Sequence, residues 1–435
     1  MSVKIAPAVN ALFDGGLPLQ LTAYDGSSAG ATDTGHTIEL VRPRGLAYIL
    51  TAPGDLGLAR AYVAGDLVLH GSHPGNPYEP FSLLKSHTDF GTPRPSQIAD
   101  LVRALGIRNL LPPAPPPQEH LPGWRLRVEA LRSNVAGALT GWGRHSQERD
   151  AHAISHHYDV SNTFYEHVLG PSMTYTCAVY PTADATLEEA QAHKYDLICR
   201  KLDLKPGQRL LDLGCGWGGM VRHAAKHYGV QALGVTLSRE QANWAEQRIK
   251  AEGLDDLAEV RFSDYRDVVE TDFDAVSSIG LTEHIGVANY PAYFAFVESK
   301  LKPEGRLLNH CITRHDNATS ERAGAFIDRY VFPDGELAGS GTIVSAIEDA
   351  GLEVQHHENI RMHYAKTLQG WSENLVEHWD ECVAETDEGT ARVWGLYMVG
   401  SRIAFERNEI QLHHVLATKN AAGESGYPLR PDFGV

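Results

Sequence analysis

The stretch that decides the fold is Arg209-Leu210-Leu211-Asp212-Leu213-Gly214-Cys215-Gly216-Trp217-Gly218-Gly219, in which an apolar run leads straight into a glycine-rich turn. Glycines at 214, 216 and 219 allow the positive φ angles and the close approach of a ligand that side chains would prevent. A helix that begins after such a turn directs its N-terminus at the same place, where polar and anionic groups bind well. The stretch predicts a cofactor site at the end of a β-strand.

Three interpretations of this turn are open. The spacing G-x-G-x-x-G alone is a nicotinamide dinucleotide fingerprint, which requires an Asp or Glu at the end of the next strand to bind the ribose. That strand ends in Val235-Thr236-Leu237-Ser238 and has no acid there. Asp212 before the turn gives Leu-Asp-Leu-Gly-Cys-Gly, which resembles the first motif of class I S-adenosylmethionine-dependent methyltransferases. The sequence therefore favours a methyl donor over NAD, and a purely structural turn is the third interpretation.

The composition limits the classes of function. With 435 residues and 43% hydrophobic content, the chain can bury a large core and form two domains or one extended domain. A formal charge of −17 argues against nucleic-acid binding, which depends on Lys and Arg neutralising phosphates. The five cysteines lack C-x-x-C spacing, so neither a metal site nor a disulfide framework is predicted. Because no signal peptide or long apolar run is present, we expect a cytoplasmic protein.

A proline-rich seam, Leu111-Pro112-Pro113-Ala114-Pro115-Pro116-Pro117-Gln118, divides the chain, because such a run sustains neither helix nor sheet. Before it, the pattern predicts strands at 19–24 and 46–50 and a helix over 56–66 that ends at a glycine. These elements indicate a small α+β domain. The predicted organisation is this small domain at 1–117, a linker and helix at 118–150, and a larger domain at 151–435.

After the seam, strands alternate with helices, which is typical of a parallel doubly wound sheet. Helices are predicted from Ser238 and over 290–301, and the helical segments 313–350 and 365–410 are long enough to form a lid or channel. The last two strands should pair in antiparallel fashion. The predicted fold class is therefore α/β, a seven-stranded Rossmann-like sheet with helical lid insertions. The strands are expected at 209–214, 231–236, 259–263, 273–279, 306–312, 352–358 and 413–418.

Further motifs extend the resemblance to one family, the cyclopropane fatty acid synthases and mycolic acid methyltransferases. The likeness covers roughly residues 150–420, and the stretch 56–62 is similar to the small leading domain of the longer bacterial members. The motifs that carry it are His157-Tyr158-Asp159-Val160-Ser161-Asn162, Met173-Thr174-Tyr175-Thr176-Cys177-Ala178, Gly234-Val235-Thr236-Leu237-Ser238, Asp264-Tyr265-Arg266-Asp267, Glu283-His284-Ile285-Gly286, Tyr330-Val331-Phe332-Pro333-Asp334-Gly335 and His363-Tyr364-Ala365-Lys366-Thr367-Leu368.

The resemblance implies two ligand sets, one for S-adenosylmethionine and one for a bicarbonate ion. The donor would be bound by Tyr175, Thr176, Asp212, Gly214, Gly216, Thr236, Leu237, Gln241, Tyr265 and Arg266. The bicarbonate ligands, which are also the candidate catalytic residues, would be Glu283, His310, Tyr364 and the backbone of Cys177, with Ile312 nearby.

The chemistry of the family explains this choice of residues. An alkene is a poor nucleophile, so the donor sulfonium must be held in line with the double bond in a dry pocket. Methyl addition leaves a carbocation, which collapses when a base removes a proton. A carboxyl group beside an anion should have a raised pKa, and we expect this of Glu283.

Taken singly, these side chains have ordinary structural explanations: a satisfied core histidine, a packing tyrosine, a small buried cysteine and a capping acid. Their joint occurrence in the family's order favours the catalytic interpretation. The histidine pairs at 156–157, 356–357 and 413–414 show no consistent metal geometry, and we interpret them as surface or strand residues.

The product of the reaction depends on which proton leaves the cation. Loss from the new methyl closes a cyclopropane, whereas loss from the chain leaves an exocyclic methylene. Gly280-Leu281-Thr282-Glu283-His284, with Asn309 and Cys311 around the histidine, looks most like the actinobacterial synthases that make 10-methylene fatty acids, precursors of tuberculostearic acid. The resemblance therefore favours the methylene product, with the cyclopropane as the alternative.

The same resemblance implies further partners. The substrate would be an unsaturated phospholipid acyl chain. The protein would be a homo-oligomer that is peripherally associated with the membrane. It would contact the membrane transiently through the small domain or the Arg-containing segment 124–132. A separate reductase would convert a methylene into a methyl branch. A non-catalytic lipid-binding protein and a small-molecule methyltransferase stay open as rival functions.

Overall fold

The computed structural model describes residues 4–87, 112–119 and 160–434, apart from 12, 14, 53, 319, 320, 323, 333 and 334. Its strands are β1 (Gln20–Ala23), β2 (Ser28–Ala29), β3 (Thr37–Leu40), β4 (Leu67–His70), β5 (Arg209–Leu213), β6 (Gln231–Thr236), β7 (Ala258–Phe262), β8 (Phe273–Ile279), β9 (Leu301–Arg314), β10 (Glu321–Arg322), β11 (Glu336–Leu337), β12 (Glu353–Asn359) and β13 (Ile410–Thr418). Its α-helices are α1 (Ile5–Asn10), α2 (Pro43–Thr51), α3 (Asp55–Val63), α4 (Tyr78–His87), α5 (Asn162–Leu169), α6 (Leu187–Lys201), α7 (Gly219–Tyr228), α8 (Arg239–Ala251), α9 (Thr282–Ile285), α10 (Tyr290–Lys300), α11 (Ala325–Tyr330), α12 (Ser340–Asp349), α13 (Arg361–Glu377), α14 (Trp379–Glu385) and α15 (Glu388–Glu406).

The described residues fall into two compact units, and neither is continuous in sequence. Unit 1 contains the described residues within Met1–Glu129, Gly324–Pro333 and Trp371–Ile403, and unit 2 contains those within Ala130–Ala323, Asp334–Gly370 and Ala404–Val435. The two predicted lid segments therefore each contribute residues to both units. Side-chain contacts explain why late segments group with unit 1: the His73 and Trp379 rings lie 5.1 Å apart, and the Arg402 guanidinium lies 3.8 Å from the Tyr78 ring centroid.

Unit 1 contains a four-stranded sheet in the order β2-β1-β3-β4, in which β1 and β3 are parallel. The strand predicted at 19–24 and the helix predicted at 56–66 are confirmed as β1 and α3, and the glycine after α3, Gly65, has a φ of +68°.

The strand predicted at 46–50 is wrong, because these residues lie in α2. A short apolar run is compatible with either a strand or a buried helix, and here Pro43 favours the start of a helix. The absence of a side chain at Gly57 lets α2 and α3 approach closely, since a Cβ there would lie 2.6 Å from the Tyr48 carbonyl oxygen.

A buried ion network fixes the end of the proline-rich seam within unit 1. The Arg60 guanidinium donates two hydrogen bonds of 2.6 Å to the Glu119 carboxylate, and Arg329 donates a third of 2.8 Å. The Glu119 side chain is fully buried and that of Arg60 is 10% exposed. Because a buried carboxylate without a partner is costly, the network holds residue 119 against α3 and α11.

Replacing Arg60 by methionine is expected to lower the free energy of unfolding by about 3 kcal/mol, because it leaves the buried Glu119 carboxylate undercompensated. Denaturant unfolding of the full chain measures the change. Lys205→Met is the matched control, since its ion pair with Asp203 is exposed and should contribute less than about 1 kcal/mol. Equal losses in the two variants would contradict the assigned importance of the network.

Unit 2 is built on a seven-stranded sheet in the order β12-β13-β9-β8-β5-β6-β7. Strands β5 to β9 pair in parallel, whereas β13 pairs antiparallel with both β9 and β12. All seven predicted strands and the antiparallel pairing of the last two are confirmed. The helices predicted from Ser238 and at 290–301 are also confirmed, as α8 and α10, and the Ser238 hydroxyl accepts the Gln241 N–H to cap α8.

Several sequence predictions lie outside the described residues. They are the linker and helix predicted at 118–150 beyond Glu119, with its basic segment 124–132, the histidine pair at 156–157 and the first half of the motif 157–162. Among the helices that the structure describes, none is both long and apolar enough to cross a membrane.

Candidate active site

A cleft opens at the carboxyl end of β5, where the sequence predicts the donor site. Strand β5 is buried, and the chain then turns through Gly214, Gly216 and Gly218, whose φ angles are +69°, +54° and +72°. The turn therefore uses the left-handed conformation that favours glycine. The cleft is lined by Met173, Thr174, Tyr175, Thr176, Tyr195, Asp212, Gly214, Cys215, Gly216, Trp217, Gly219, Met220, Gln241, Ile279 and Gly280.

The glycines of the turn have distinct steric surroundings. A Cβ at Gly214 would lie 3.1 Å from Cδ1 of Leu281, and one at Gly219 would lie 2.3 Å from the Tyr195 hydroxyl. At Gly216, no heavy atom lies within 4 Å of the added Cβ, so this residue borders open space. The absence of side chains thus keeps the turn compact at two points and leaves room for a ligand at the third.

Two buried side chains of opposite charge lie at the cleft: Asp212, which lines it, and Lys194. The buried Asp212 carboxylate accepts a 2.6 Å hydrogen bond from the Ser277 hydroxyl, and the buried Lys194 ammonium donates to the Thr176 hydroxyl at 2.7 Å. Burial raises the pKa of Asp212 and lowers the pKa of Lys194, and the attraction between the two groups opposes both shifts. Thr176 and Asp212 are therefore held by partners that themselves lie in the interior.

The end of β6 carries a neutral pair where a dinucleotide site would have an acid. The Thr236 hydroxyl donates to Oε1 of Gln241 at 2.8 Å, and Leu237 lies half-buried between them in sequence. Gln241 lines the cleft. Amide and hydroxyl groups can bind the hydroxyls and ring nitrogens of a nucleoside without adding charge.

Tyr265 and Arg266 do not line the cleft in the structure. They form a short 3-10 helix in which Arg266 donates to both oxygens of Asp264, at 2.8 and 2.7 Å. The Tyr265 ring packs against Tyr293 and Phe296, with centroids 5.3 and 5.2 Å away. The donor contacts expected of these two residues therefore stay a prediction.

Glu283 lies on the short helix α9, just after the cleft residue Gly280. Its Oε1 accepts the Ile312 N–H at 3.0 Å, and its Oε2 has no hydrogen-bond partner among the described residues. Burial raises its pKa from 4.5 to about 7. The direction agrees with the expectation from the sequence, and burial of the carboxyl group is its largest cause.

The raised pKa predicts a pH-dependent stability. Because the folded state binds this proton more tightly than the unfolded state, the contribution of Glu283 is fully present below about pH 4.5 and is lost as the pH rises through about 7. The rise from 4.5 to about 7 corresponds to about 3 kcal/mol. Glu283→Gln lacks this term, so its unfolding free energy relative to wild type should increase by up to this amount between pH 5 and pH 8. A constant difference over that range in denaturant unfolding would refute the assignment.

His310 is buried on β9 and is joined to the wall of the cleft through its backbone. Its carbonyl oxygen accepts the Gly280 N–H at 2.8 Å, and it pairs in register with Ile279 of β8. Its Nδ1 lies 2.8 Å from Nε2 of His414, whereas its own Nε2 has no partner within the described part of the chain. One ring nitrogen is thus oriented by the protein, and the other is a buried polar atom that the described residues leave unpaired.

Cys177 and Tyr364 lie on two segments that are bonded to each other. The Ala178 N–H donates to the Thr367 hydroxyl and the Tyr180 N–H to His363 Nδ1, each at 3.0 Å. Both acceptors lie on α13, the helix that carries the buried Tyr364. The backbone after Cys177 is therefore fixed against the Tyr364 helix, and a ligand set shared by the two residues stays a prediction.

Sequence reasoning missed the buried lysines of α6. Lys194 and Lys201 lie on the buried face of this helix, which also carries Ala190, Leu197 and Ile198. A lysine at an apolar helical position is a detectable signal, because charged side chains are almost never fully buried without a partner. Residues 190, 194, 197, 198 and 201 follow the spacing of one helical face, and two of these five positions are lysines.

The sheet order, the single antiparallel strand β13 and the glycine-lined cleft after β5 define a class I S-adenosylmethionine-dependent methyltransferase. The family model described as mycolic acid cyclopropane synthetase matches residues 145–415. The chain is 61% identical to "Probable fatty acid methyltransferase Rv3720" of Mycobacterium tuberculosis, over 95% of this chain and 94% of the relative.

Two more distant proteins support the same assignment. The cyclopropane-fatty-acyl-phospholipid synthase of Escherichia coli K12 is 38% identical, over 60% of this chain and 66% of that protein. The solved structure of mycolic acid cyclopropane synthase CmaA1 with SAH and CTAB has a TM-score of 0.57 and 31% identity, covering 61% of this chain and 97% of that one. The chain belongs to the mycolic acid cyclopropane synthetase family.

Proposed function

We propose that this enzyme transfers the methyl group of S-adenosylmethionine to the double bond of an unsaturated phospholipid acyl chain, such as oleoyl, and releases a 10-methylene fatty acyl product. The observation that carries the proposal is the pair of buried groups, Glu283 and His310, each with one side-chain polar atom that has no hydrogen-bond partner among the described residues. The names of the relatives, a fatty acid methyltransferase and a fatty-acyl-phospholipid synthase, support an acyl substrate.

The donor supplies an electrophilic methyl on a sulfonium. The protein's contribution is to bind the donor at Gly214, Gly216 and Gln241 and to keep water away from the alkene, since proximity and desolvation contribute most when the nucleophile is weak. The cation formed on the acyl chain then loses a proton. Glu283, with a pKa of about 7, is suited to share or accept a proton near neutral pH.

The two unpaired atoms, Glu283 Oε2 and His310 Nε2, also fit a small oxyanion such as bicarbonate. A ring N–H at His310 would donate to it, and Glu283 would donate in its protonated form or accept in its ionised form. The Tyr364 hydroxyl and the backbone at Cys177 complete the proposed ligand set. When bound, such an ion would supply a basic oxygen that can accept the proton, and the hydrogen-bond donors around it would offset the cost of burying its charge.

Mass spectrometry of phospholipid fatty acids tests the proposal. Cells that lack such lipids would express the chain with oleate supplied, and derivatisation would separate a methylene from a cyclopropane of equal mass. A methylene species absent from cells expressing Glu283→Gln supports the proposal. A cyclopropane overturns the product but not the methyl transfer, and no gain of one CH₂ contradicts the function.

Two rival functions have direct tests. A non-catalytic lipid-binding protein would not bind S-adenosylmethionine, so calorimetric titration of the purified chain distinguishes it. A small-molecule methyltransferase would methylate no phospholipid in the experiment above.

We also propose a transient contact of the enzyme with the cytoplasmic membrane surface, because an acyl chain must leave the bilayer to be methylated. Charge reversal of Arg125, Arg127 and Arg132, which lie outside the described residues, is expected to reduce sedimentation with anionic liposomes. Unchanged binding would exclude this segment. A homo-oligomer and a separate downstream reductase remain part of the proposal.

A further inference from the structure

A line of four polar side chains runs through the interior to His310. His414 lies directly opposite His310 in the antiparallel pairing of β13 with β9, and the two rings contact through His310 Nδ1 and His414 Nε2 at 2.8 Å. The other nitrogen of His414, Nδ1, lies 3.0 Å from Nζ of Lys201. Lys201 forms an ion pair with Glu358. The two histidines and the lysine are at most 1% exposed, while Glu358 is 38% exposed.

The donor and acceptor roles along this line follow from its charged end. An ammonium group donates hydrogen bonds and cannot accept them. Burial lowers the pKa of Lys201, and the ion pair with the Glu358 carboxylate opposes this shift and stabilises the charged form. His414 Nδ1 is therefore an acceptor. Burial lowers the pKa of both histidines well below the ordinary value, so each ring is neutral and carries one proton.

The tautomers follow in sequence. Because His414 accepts at Nδ1, its proton is on Nε2, which donates to Nδ1 of His310. His310 then carries its own proton on Nε2, the buried atom that has no partner among the described residues. A buried N–H without an acceptor is costly, so this atom is built for a ligand that accepts.

We propose that Lys201 and His414 are positioning residues that fix His310 in the Nε2–H tautomer and make it a hydrogen-bond donor toward a small oxyanion or a comparable acceptor. In this role His310 is not the base of the reaction, since its free nitrogen already holds a proton. The effect on catalysis rests on the proposed function, whereas the tautomer itself does not.

Nitrogen-15 NMR of the full chain labelled at histidine tests the tautomer directly, because protonated and unprotonated ring nitrogens resonate far apart. His310 is assigned by the signal lost in His310→Gln. The expected result in wild type is a protonated Nε2 and an unprotonated Nδ1. A protonated Nδ1 would overturn the proposal.

Two substitutions at His414 form a matched pair. In His414→Gln, the amide nitrogen can donate to His310 and the amide oxygen can accept from Lys201, so the tautomer should be retained. In His414→Met both functions are lost, and His310 should populate both tautomers. If the Met variant fails to fold, Lys201→Met provides the same test from the other end of the line. An unchanged His310 spectrum in a folded Met variant at either position would refute the positioning role.

The kinetic readout separates this proposal from the proposed function. His414→Met should lower kcat by about 10- to 100-fold with the KM for the methyl donor unchanged, and His414→Gln should restore most of the loss. Binding of formate, used as the oxyanion probe, should weaken in parallel in calorimetry. A wild-type enzyme with the expected tautomer but no lipid methylation would contradict the function alone, while the wrong tautomer in an active enzyme would contradict only the positioning role.

Discussion

Replacing Glu283 by glutamine is expected to lower kcat for methyl transfer by about 10²- to 10⁴-fold, the range that a positioned acid or base contributes. Glutamine keeps the size of the side chain, and its oxygen can still accept the Ile312 N–H. It cannot share or take up a proton near neutral pH, which the carboxyl group with its pKa of about 7 can do. Single-turnover assays with S-adenosylmethionine and oleoyl phospholipid vesicles measure the change.

Donor binding should be unaffected by this substitution, because Glu283 does not line the cleft after β5. Glu259→Gln, on the exposed face of β7, is the control for the loss of one carboxylate and should retain wild-type kcat. A Glu283→Gln enzyme within about threefold of wild-type kcat would exclude the proton-transfer role.

Replacing Gly214 by alanine is expected to weaken donor affinity by about 10- to 100-fold. The left-handed conformation of this residue costs an alanine about 1–2 kcal/mol. In addition, the new Cβ would lie 3.1 Å from Leu281, which must move or displace the turn. Since Leu281 directly precedes α9, the disturbance extends toward Glu283. Calorimetric titration of S-adenosylmethionine measures the loss.

Gly253→Ala is the matched control for the backbone conformation. Gly253 has a φ of +67°, close to the +69° of Gly214, but nothing lies within 4 Å of its added Cβ and it does not line the cleft. Both variants should lose stability in denaturant unfolding through the left-handed alanine, Gly214→Ala somewhat more because of Leu281, and only Gly214→Ala should lose donor affinity. Equal affinities in the two variants would show that the steric surroundings of Gly214 do not shape the donor site.

The strand, the glycine turn and the cleft after β5 were largely predictable because their signal is local. A buried strand, a turn that requires positive φ and a capped helix follow one another within 209–241, and each depends on neighbours in sequence. The strand predicted at 46–50 is wrong because its local signal is ambiguous. Its five apolar residues are compatible with the periodicity of a strand or of a helix, and the packing of α2 on α3 decided for the helix.

The sequence by itself determined the order of strands and helices, the glycine turn and the identity of the candidate side chains, since periodicity and local conformational preference are written in adjacent residues. Only the tertiary structure decided what each side chain meets. Strand register places His414 against His310, burial raises the pKa of Glu283, and Lys201 contacts His414 from a helix more than two hundred residues away. These relations depend on distances across the fold, which no local pattern specifies.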